Sequence, residues 1–259
     1  MTAVIVRAAL APLLREASLR SEQLSQLVMG ATARLEQARG DWRRVTGEED
    51  GFGGWVHAGY LLEVDDAAAA RWREEALGWS LGAVLRVDGQ RLPLPLRARL
   101  ALEPGGARLP EGRRGEVVEG ELAPAEAVAA AARGAAPERW ALEHFAGAPY
   151  EWGGITPWGV DCSGLIQTTF AARGIVLPRD SALQVAHGTP VPLGAALPGD
   201  LLFFRAENGP AINHVAFAGE DETLIHSTVS QGGVLRERWP EGLRARLVEV
   251  RRVGESLGV

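Results

Sequence analysis

The sequence predicts an α+β fold in which one or two small β-barrels precede a domain that places a helix before antiparallel strands. Residues 1–64 carry short apolar runs separated by Gly and Asp, a pattern typical of the short strands of a small barrel. From residue 137 onward, apolar residues at helical spacing are followed by strand-like runs. The 259 residues are 46% hydrophobic, which is enough for two or three domains with packed cores.

Differences in composition along the chain predict three domains, with bounds at 1–64, 65–123 and 124–259. Residues 65–80 could form a short helix or a connector. In the second region Asp88-Gly89 is a typical hairpin turn, but Pro and Gly residues crowd near 104–115. This region is therefore either a degenerate second barrel or a linker.

Charge and cysteine content exclude several classes of protein. The net charge of -6 argues against a nucleic-acid partner or an anionic membrane, because phosphates require basic surfaces. A single cysteine excludes an intramolecular disulfide. The N-terminus is a poor signal peptide and no apolar stretch approaches the length of a membrane span. The sequence therefore predicts a soluble, cytoplasmic protein that does not bind membranes.

Cys162 stands at the predicted start of a helix in the third domain. Asp161 before it is a preferred N-cap residue, and Gly174 is a typical helix end. The free N–H groups and the positive dipole end of a helix start favour a thiolate, and the Cys162 N–H could donate to an oxyanion. Cys162 is thus a candidate nucleophile on an amphipathic helix, whereas the alternative is a buried structural cysteine.

Two histidines on a predicted hairpin are candidate partners for this thiol. A three-residue loop at Glu220–Glu222 would place His226 opposite Ala216, with His214 diagonally beside it on the same face of the sheet. We therefore predict His214 as the general base and His226 as the residue that orients it. Other residues that could orient the base are Asn213, Asp200 and Gln184. The spacing of the two histidines does not fit a zinc site, so no metal is expected.

The third domain resembles the NlpC-type peptidoglycan peptidases. The motifs that carry the resemblance occur in the family's order over roughly residues 137–252: PYEWGG, DCSGLIQTTF, LPRDSALQ, PGDLLFF, NHVAFAG and IHSTVSQGGV. The resemblance implies a papain-like α+β catalytic domain with a triad of Cys162, His214 and His226. It also implies that the Tyr150 hydroxyl lies near the thiolate and, with the Cys162 N–H, near the oxyanion.

The N-terminal region resembles bacterial SH3-like domains in the segments GATARLEQARGDWRRV and GWVHAGYL. A family subgroup with such domains cleaves the γ-D-glutamyl–L-diamino acid bond of stem peptides that have a free N-terminal L-alanine. In that subgroup the first barrel walls off the substrate cleft. Tyr60 of this chain is then either a substrate contact or, like Trp42 and Trp55, part of a barrel core.

The segment Arg179–Ser181 resembles the amine-recognition segment of the subgroup. Asp180 could pair with the L-alanine ammonium and Ser181 could add a hydrogen bond. Alternatively, Arg179 and Asp180 form a solvated ion pair, or Asp180 caps a helix that starts near Ser181. An acidic residue of the barrel, from Glu48–Asp50, could also hold the ammonium. The predicted substrate-binding residues are Tyr60, Tyr150, Trp152, Asp161, Ser163, Arg179, Asp180 and Ser181.

These features together predict a cysteine endopeptidase that recycles wall peptides, with the muropeptide L-Ala-γ-D-Glu-diamino acid as its partner. We expect a monomer that requires no metal or organic cofactor. Two alternatives remain at this point. The same thiol chemistry could act on intact peptidoglycan or on an acyl group of a lipid or amide, or the chain could be a non-catalytic wall-binding protein.

Overall fold

The computed structural model describes residues 2–254, which form two compact units divided between Val128 and Ala129. Within these residues, no helix combines the length and the apolar character needed to cross a membrane. The domain bounds predicted at 64/65 and 123/124 stay predictions. Three single-turn 3₁₀ helices interrupt the loops, at Ala58–Tyr60, Leu193–Ala195 and Val229–Gln231.

The first unit begins with a seven-stranded sheet in which all neighbours are antiparallel. Its strands are β1 (Thr2–Val6), β2 (Leu10–Leu14), β3 (Gln23–Val28), β4 (Thr32–Arg39), β5 (Trp42–Gly47), β6 (Gly53–His57) and β7 (Leu61–Asp65). Their order in the sheet is β3-β2-β6-β5-β4-β1-β7.

Residues 3–6 of strand β1 are all apolar and buried, in keeping with cover on both faces of the strand. Val4 and Val6 point into the core of the first sheet. Ile5 belongs to a second cluster with Trp72 of helix α1 (Asp66–Glu75). The helix begins where Asp65 accepts a hydrogen bond from the Ala68 N–H, as is usual for an N-cap. The short helix considered for residues 65–80 is therefore present.

A second seven-stranded antiparallel sheet follows in the same unit. Its strands are β8 (Gly78–Ser80), β9 (Val84–Val87), β10 (Gln90–Pro93), β11 (Arg99–Glu103), β12 (Gly106–Arg108), β13 (Arg114–Glu119) and β14 (Leu122–Pro124), in the order β10-β9-β13-β12-β11-β8-β14. Asp88 and Gly89 join β9 to β10 with φ values of 50° and 80°, which confirms the predicted hairpin turn. The region is thus not a linker without secondary structure.

The predicted SH3-like barrels are not confirmed. Within residues 2–254, each of the two sheets runs from one edge strand to the other without a pairing that closes it. Trp42 and Tyr60 are half-buried, and both rings make edge contacts with His57. Tyr60 also packs against the core of the first sheet.

The second unit combines helices with a six-stranded antiparallel sheet. Helix α2 (Ala125–Gly134) crosses the division between the units, and the other helices are α3 (Pro137–Phe145), α4 (Cys162–Ala172), α5 (Ser181–Gln184) and α6 (Glu241–Arg244). The strands are β15 (Ile155–Thr156), β16 (Gly159–Val160), β17 (Thr189–Val191), β18 (Leu201–Arg205), β19 (Ile212–Ala218), β20 (Thr223–Thr228), β21 (Gly233–Arg238) and β22 (Leu247–Arg252). The large sheet has the order β17-β22-β18-β19-β20-β21.

Helix α4 is the central helix of this unit, and all eleven of its residues are buried. Its polar side chains bond to backbone carbonyls: Gln167 to Leu177, and Thr168 to Ile155. The predicted amphipathic helix is therefore present, but it has no solvent-exposed polar face. The helix can be covered on every side since its polar residues form hydrogen bonds within the protein and do not need water as a partner.

Candidate active site

Cys162 opens α4 as predicted. The Asp161 carboxylate accepts a hydrogen bond from the Gly164 N–H at 2.7 Å, which makes Asp161 the N-cap. The sulfur is nevertheless largely enclosed, because Cys162 is only 9% exposed. Burial, reinforced by the Asp161 charge, raises the pKa of the Cys162 thiol to about 12, although backbone N–H groups of Val215 and Ser163 act in the opposite direction. Desolvation thus opposes the thiolate that the helix start was predicted to favour, and the resting state of Cys162 stays a prediction.

Asp161 is held by a buried ion pair with Arg179. The two guanidinium nitrogens donate to the two carboxylate oxygens at 2.6 and 3.0 Å, and Arg179 also donates to the Ser163 hydroxyl at 2.9 Å. Gly153 N–H supplies a further bond to Asp161 at 2.9 Å. Arg179, Asp161 and Ser163 are 2%, 5% and 7% exposed. Arg179 is therefore not part of a solvated pair, whereas the substrate-binding roles predicted for these three residues stay predictions.

His214 and His226 lie side by side on the predicted hairpin. Phe217 pairs with Ile225 and the next pair follows the same register, which places His226 opposite Ala216 when it is extended along the strands. Nε2 of His214 lies 2.8 Å from Nδ1 of His226, with the ring planes at 70°. The predicted register and the shared face are confirmed, whereas the catalytic roles of the two rings stay predictions.

Glu237 completes a chain of three side chains that the sequence reasoning missed. Its Oε1 lies 2.9 Å from Nε2 of His226. Strand β21 pairs Glu237 with Leu224 and Leu235 with His226, so Glu237 is a diagonal neighbour of His226. The short turn at 229–232 and the alternation of side chains along the strands could have predicted that Glu237 and His226 share a face.

Burial favours the neutral form of both imidazoles. Burial lowers the pKa of His214 to about 3, helped by the neighbouring His226 and Arg246. Burial also lowers the pKa of His226, against the opposite influence of Glu237. Since a carboxylate only accepts, the His226 proton lies on Nε2, and Nδ1 of His226 then accepts from Nε2–H of His214. This assignment leaves the lone pair of His214 on its Nδ1.

Two contacts bring the hairpin to the start of α4. The Val215 N–H, one residue after His214, faces the Cys162 sulfur. The Ser227 hydroxyl, one residue after His226, donates to the Val160 carbonyl at 2.6 Å. These contacts place both histidine-bearing strands beside the segment that carries the thiol.

The alternative orienting residues are engaged elsewhere. Asp200 accepts two hydrogen bonds of 2.7 Å from Arg252, and Gln184 donates to the carbonyls of Ser163 and Pro178. Asn213 is exposed. The contact with Nε2 of His214 is thus made by His226.

Tyr150 is near enough to Cys162 for the two side chains to interact electrostatically, and its predicted oxyanion role stays a prediction. Burial raises the pKa of its hydroxyl to about 12, and the charges of Cys162 and Asp161 act in the same direction. The hydroxyl therefore stays protonated and able to donate at neutral pH. Trp152, two residues further, is 59% exposed, so its predicted contact with substrate stays a prediction.

Asp180 and Ser181 stand at the start of α5. Asp180 is exposed and occupies the N-cap position without a side-chain capping bond, whereas Ser181 is 8% exposed. The alternative of a capping carboxylate is therefore not what the structure shows. The amine-recognition role stays a prediction.

The residues predicted from the N-terminal region lie in the first unit. Glu48 accepts hydrogen bonds from Thr32 and Arg73, and Glu49 forms ion pairs of 3.2 Å with Arg97 and Arg99. Asp50 accepts from the Phe52 N–H. These acidic groups have partners within their own unit, and the substrate roles of Tyr60 and of this acidic segment stay predictions.

A comparison with known protein families gives a match for the part of the chain that carries these residues. Residues 147–252 match the NlpC/P60 family. The NlpC/P60 match thus contains Cys162, both histidines and Glu237. Among residues 2–254, no cluster of three or more His, Cys, Asp or Glu side chains is arranged to hold a metal ion.

The curated relatives match about a third of this chain. A γ-D-glutamyl-L-lysine dipeptidyl-peptidase of Bacillus subtilis is 45% identical over 84 residues, which is 32% of this chain and 28% of that protein. The probable endopeptidase NlpC of Escherichia coli is 38% identical over 92 residues, 35% of this chain and 60% of that protein. The chain therefore spans well under two thirds of these relatives.

A solved structure resembles the chain over nearly its full length. The crystal structure of an NlpC/P60 family protein from Bacillus cereus superposes with a TM-score of 0.81, covering 96% of this chain and 99% of the other at 21% identity. The likeness shows that the chain has the mixed α/β fold of that NlpC/P60 protein.

Proposed function

We propose that this protein is a cysteine endopeptidase that hydrolyses the γ-D-glutamyl–L-diamino acid bond of peptidoglycan stem peptides with a free N-terminal L-alanine. The observation that carries the proposal is the contact of 2.8 Å between His214 and His226, on a hairpin whose Val215 N–H faces the Cys162 sulfur. The name of the Bacillus subtilis relative, a γ-D-glutamyl-L-lysine dipeptidyl-peptidase, supports this bond and substrate class.

The first chemical step is an attack with concerted proton removal. Because the pKa of Cys162 is raised and that of His214 is lowered, the resting pair is a neutral thiol and a neutral imidazole. His214 takes the thiol proton on Nδ1 while the sulfur bonds to the γ-carbonyl carbon. The carbonyl π electrons move to its oxygen, which becomes the oxyanion.

The second half of the reaction returns the enzyme to its resting state. The tetrahedral intermediate collapses, the C–N bond breaks, and the imidazolium of His214 protonates the leaving amine. Water then attacks the thioester and His214 takes a proton from that water. His214 passes this proton to the departing sulfur, which restores the neutral thiol and the neutral imidazole. The Cys162 N–H and the Tyr150 hydroxyl serve as oxyanion donors, since both are available at neutral pH.

Recognition of the free amine falls to Asp180 in this proposal. It is exposed beside the buried Ser181, and its carboxylate could form a charge-assisted hydrogen bond with the L-alanine ammonium. A substrate without a free amine could not form this charge-assisted hydrogen bond with the carboxylate. The proposed role in the cell is recycling of short wall peptides.

The test is to compare hydrolysis of L-Ala-γ-D-Glu-diaminopimelate with that of its N-acetylated form. The free peptide is expected to react much faster, and Asp180→Asn should bring the two rates together. Asp221→Asn, an isosteric change on the hairpin loop, is the matched control and should keep the wild-type preference. Equal turnover of both peptides by the wild-type enzyme would reject amine recognition, and no cleavage of either would reject the proposed reaction.

A further inference from the structure

A carboxylate stands behind the histidine pair, outside the three residues of the predicted triad. Glu237 has a partly enclosed side chain with 20% exposure, whereas His226 has 1% exposure. The distances are 2.9 Å from Glu237 to His226 and 2.8 Å from His226 to His214. Glu237 thus contacts one ring nitrogen of His226, and the other nitrogen of His226 contacts His214. The three side chains form a line that starts at Glu237.

The hydrogen bonds along this line all point the same way, because the Glu237 carboxylate has no proton to donate. A Glu237 carboxylate accepts only, so His226 must carry its proton on Nε2 and present a lone pair at Nδ1. That lone pair in turn requires the proton of His214 on Nε2. Without the carboxylate, a neutral His226 could carry its proton on Nδ1, and the pair of nitrogens 2.8 Å apart would then favour the opposite tautomer of His214.

We propose that Glu237 is a positioning residue that, through His226, sets the tautomer of His214 and so keeps Nδ1 of His214 free to take the Cys162 proton. The role rests on the proposed cysteine peptidase activity. The contact of Glu237 in this site is with His226, and we assign its effect to that ring. The other charged groups near the line are Arg246 beside His214, and Asp161 and Arg179 beside Cys162.

The direct readout is the tautomer of each ring, measured from imidazole ¹⁵N chemical shifts. The wild-type enzyme is expected to carry both protons on Nε2. In Glu237→Ala the proton of His226 should redistribute toward Nδ1, whereas Glu237→Gln should hold the wild-type tautomer, since its amide oxygen still accepts. Glu249→Gln, on strand β22 of the same sheet but away from β21, is the control and should change neither ring.

The kinetic readout uses L-Ala-γ-D-Glu-diaminopimelate. Glu237→Ala should lower kcat about 10-fold with little change in KM, as expected for loss of a group that orients a catalytic ring. Glu237→Gln should retain more of the rate. In a His226→Ala background, Glu237→Ala should cause no further loss, because the line is already broken.

The two proposals fail in different ways. An unchanged His226 tautomer in Glu237→Ala, or a further loss of kcat in the His226→Ala background, would overturn the role of Glu237. Wild-type turnover by Cys162→Ala would overturn the peptidase mechanism but leave the tautomer result intact. The ¹⁵N measurement requires no substrate and therefore tests Glu237 independently.

Discussion

Arg179 donates two hydrogen bonds of 2.6 and 3.0 Å to the Asp161 carboxylate, and both residues are almost fully buried. The pair fixes the N-cap of the helix that begins at Cys162. It also places a positive charge near the sulfur, which offsets part of the effect of Asp161 on the thiol. Structure and reactivity at the helix start thus depend on one ion pair.

Removing Arg179 should destabilise the fold strongly. Arg179→Met leaves the Asp161 carboxylate buried without its counter-ion, and breaking a buried pair in this way costs about 3–5 kcal/mol. Chemical denaturation followed by tryptophan fluorescence measures the loss. Arg139→Met, which breaks an exposed pair with Glu220, should change the free energy of unfolding far less, because exposed ion pairs contribute little to stability. Equal effects of the two variants would contradict the role assigned to Arg179.

Alkylation of Cys162 should be slow near neutral pH and should accelerate as the pH rises. Only the thiolate reacts, and a pKa raised to about 12 leaves little of it at pH 7. The iodoacetamide rate should therefore increase about tenfold per pH unit between pH 6 and 10. A rate that is high and constant across this range would show a stable thiolate and contradict the assigned resting state.

The neutral histidine pair should make the protein sensitive to mild acid. A histidine with a lowered folded pKa binds fewer protons than in the unfolded chain, so its stabilisation is present above the ordinary pKa of about 6.5 and is lost as pH falls below it. Between pH 7.5 and 5.5 the free energy of unfolding should fall by about 1 kcal/mol for each such histidine. His214→Gln should show a shallower decline. An identical pH profile for wild type and variant would refute this assignment.

Gly164 should tolerate no side chain. A Cβ added there would lie 2.1 Å from the carbonyl oxygen of Gly154, so the start of α4 would have to shift. Gly164→Ala is expected to lower the free energy of unfolding by about 1–3 kcal/mol. The control is Gly242→Ala in α6, where a Cβ meets nothing within 4 Å. A Gly164→Ala protein as stable as this control would show that the close contact is absent in solution.

The sequence contained enough local information to predict the helix start and the histidine register. Asp161 followed by Cys162 is a local capping pattern, and the loop of odd length at Glu220–Glu222 determines which faces of β19 and β20 align. Both features depend on residues close in the chain. They were therefore predictable without tertiary contacts.

The remaining features depend on contacts that no local pattern displays. The sign of the Cys162 pKa shift follows from the packing of the whole unit around the sulfur. Arg179 looked like a loop residue because its partner Asp161 lies 18 positions away. The burial of α4 on all sides could not be predicted either, since Thr168 bonds to the distant Ile155 carbonyl.

The most direct test of the mechanism is to identify the covalent intermediate on Cys162. The enzyme is mixed with L-Ala-γ-D-Glu-diaminopimelate, quenched in acid and analysed by mass spectrometry. We expect the peptide that contains Cys162 to gain the mass of the L-Ala-D-Glu dipeptide less one water, and Cys162→Ala to release no product. Product release by Cys162→Ala at the wild-type rate would contradict the assignment of Cys162 as the nucleophile.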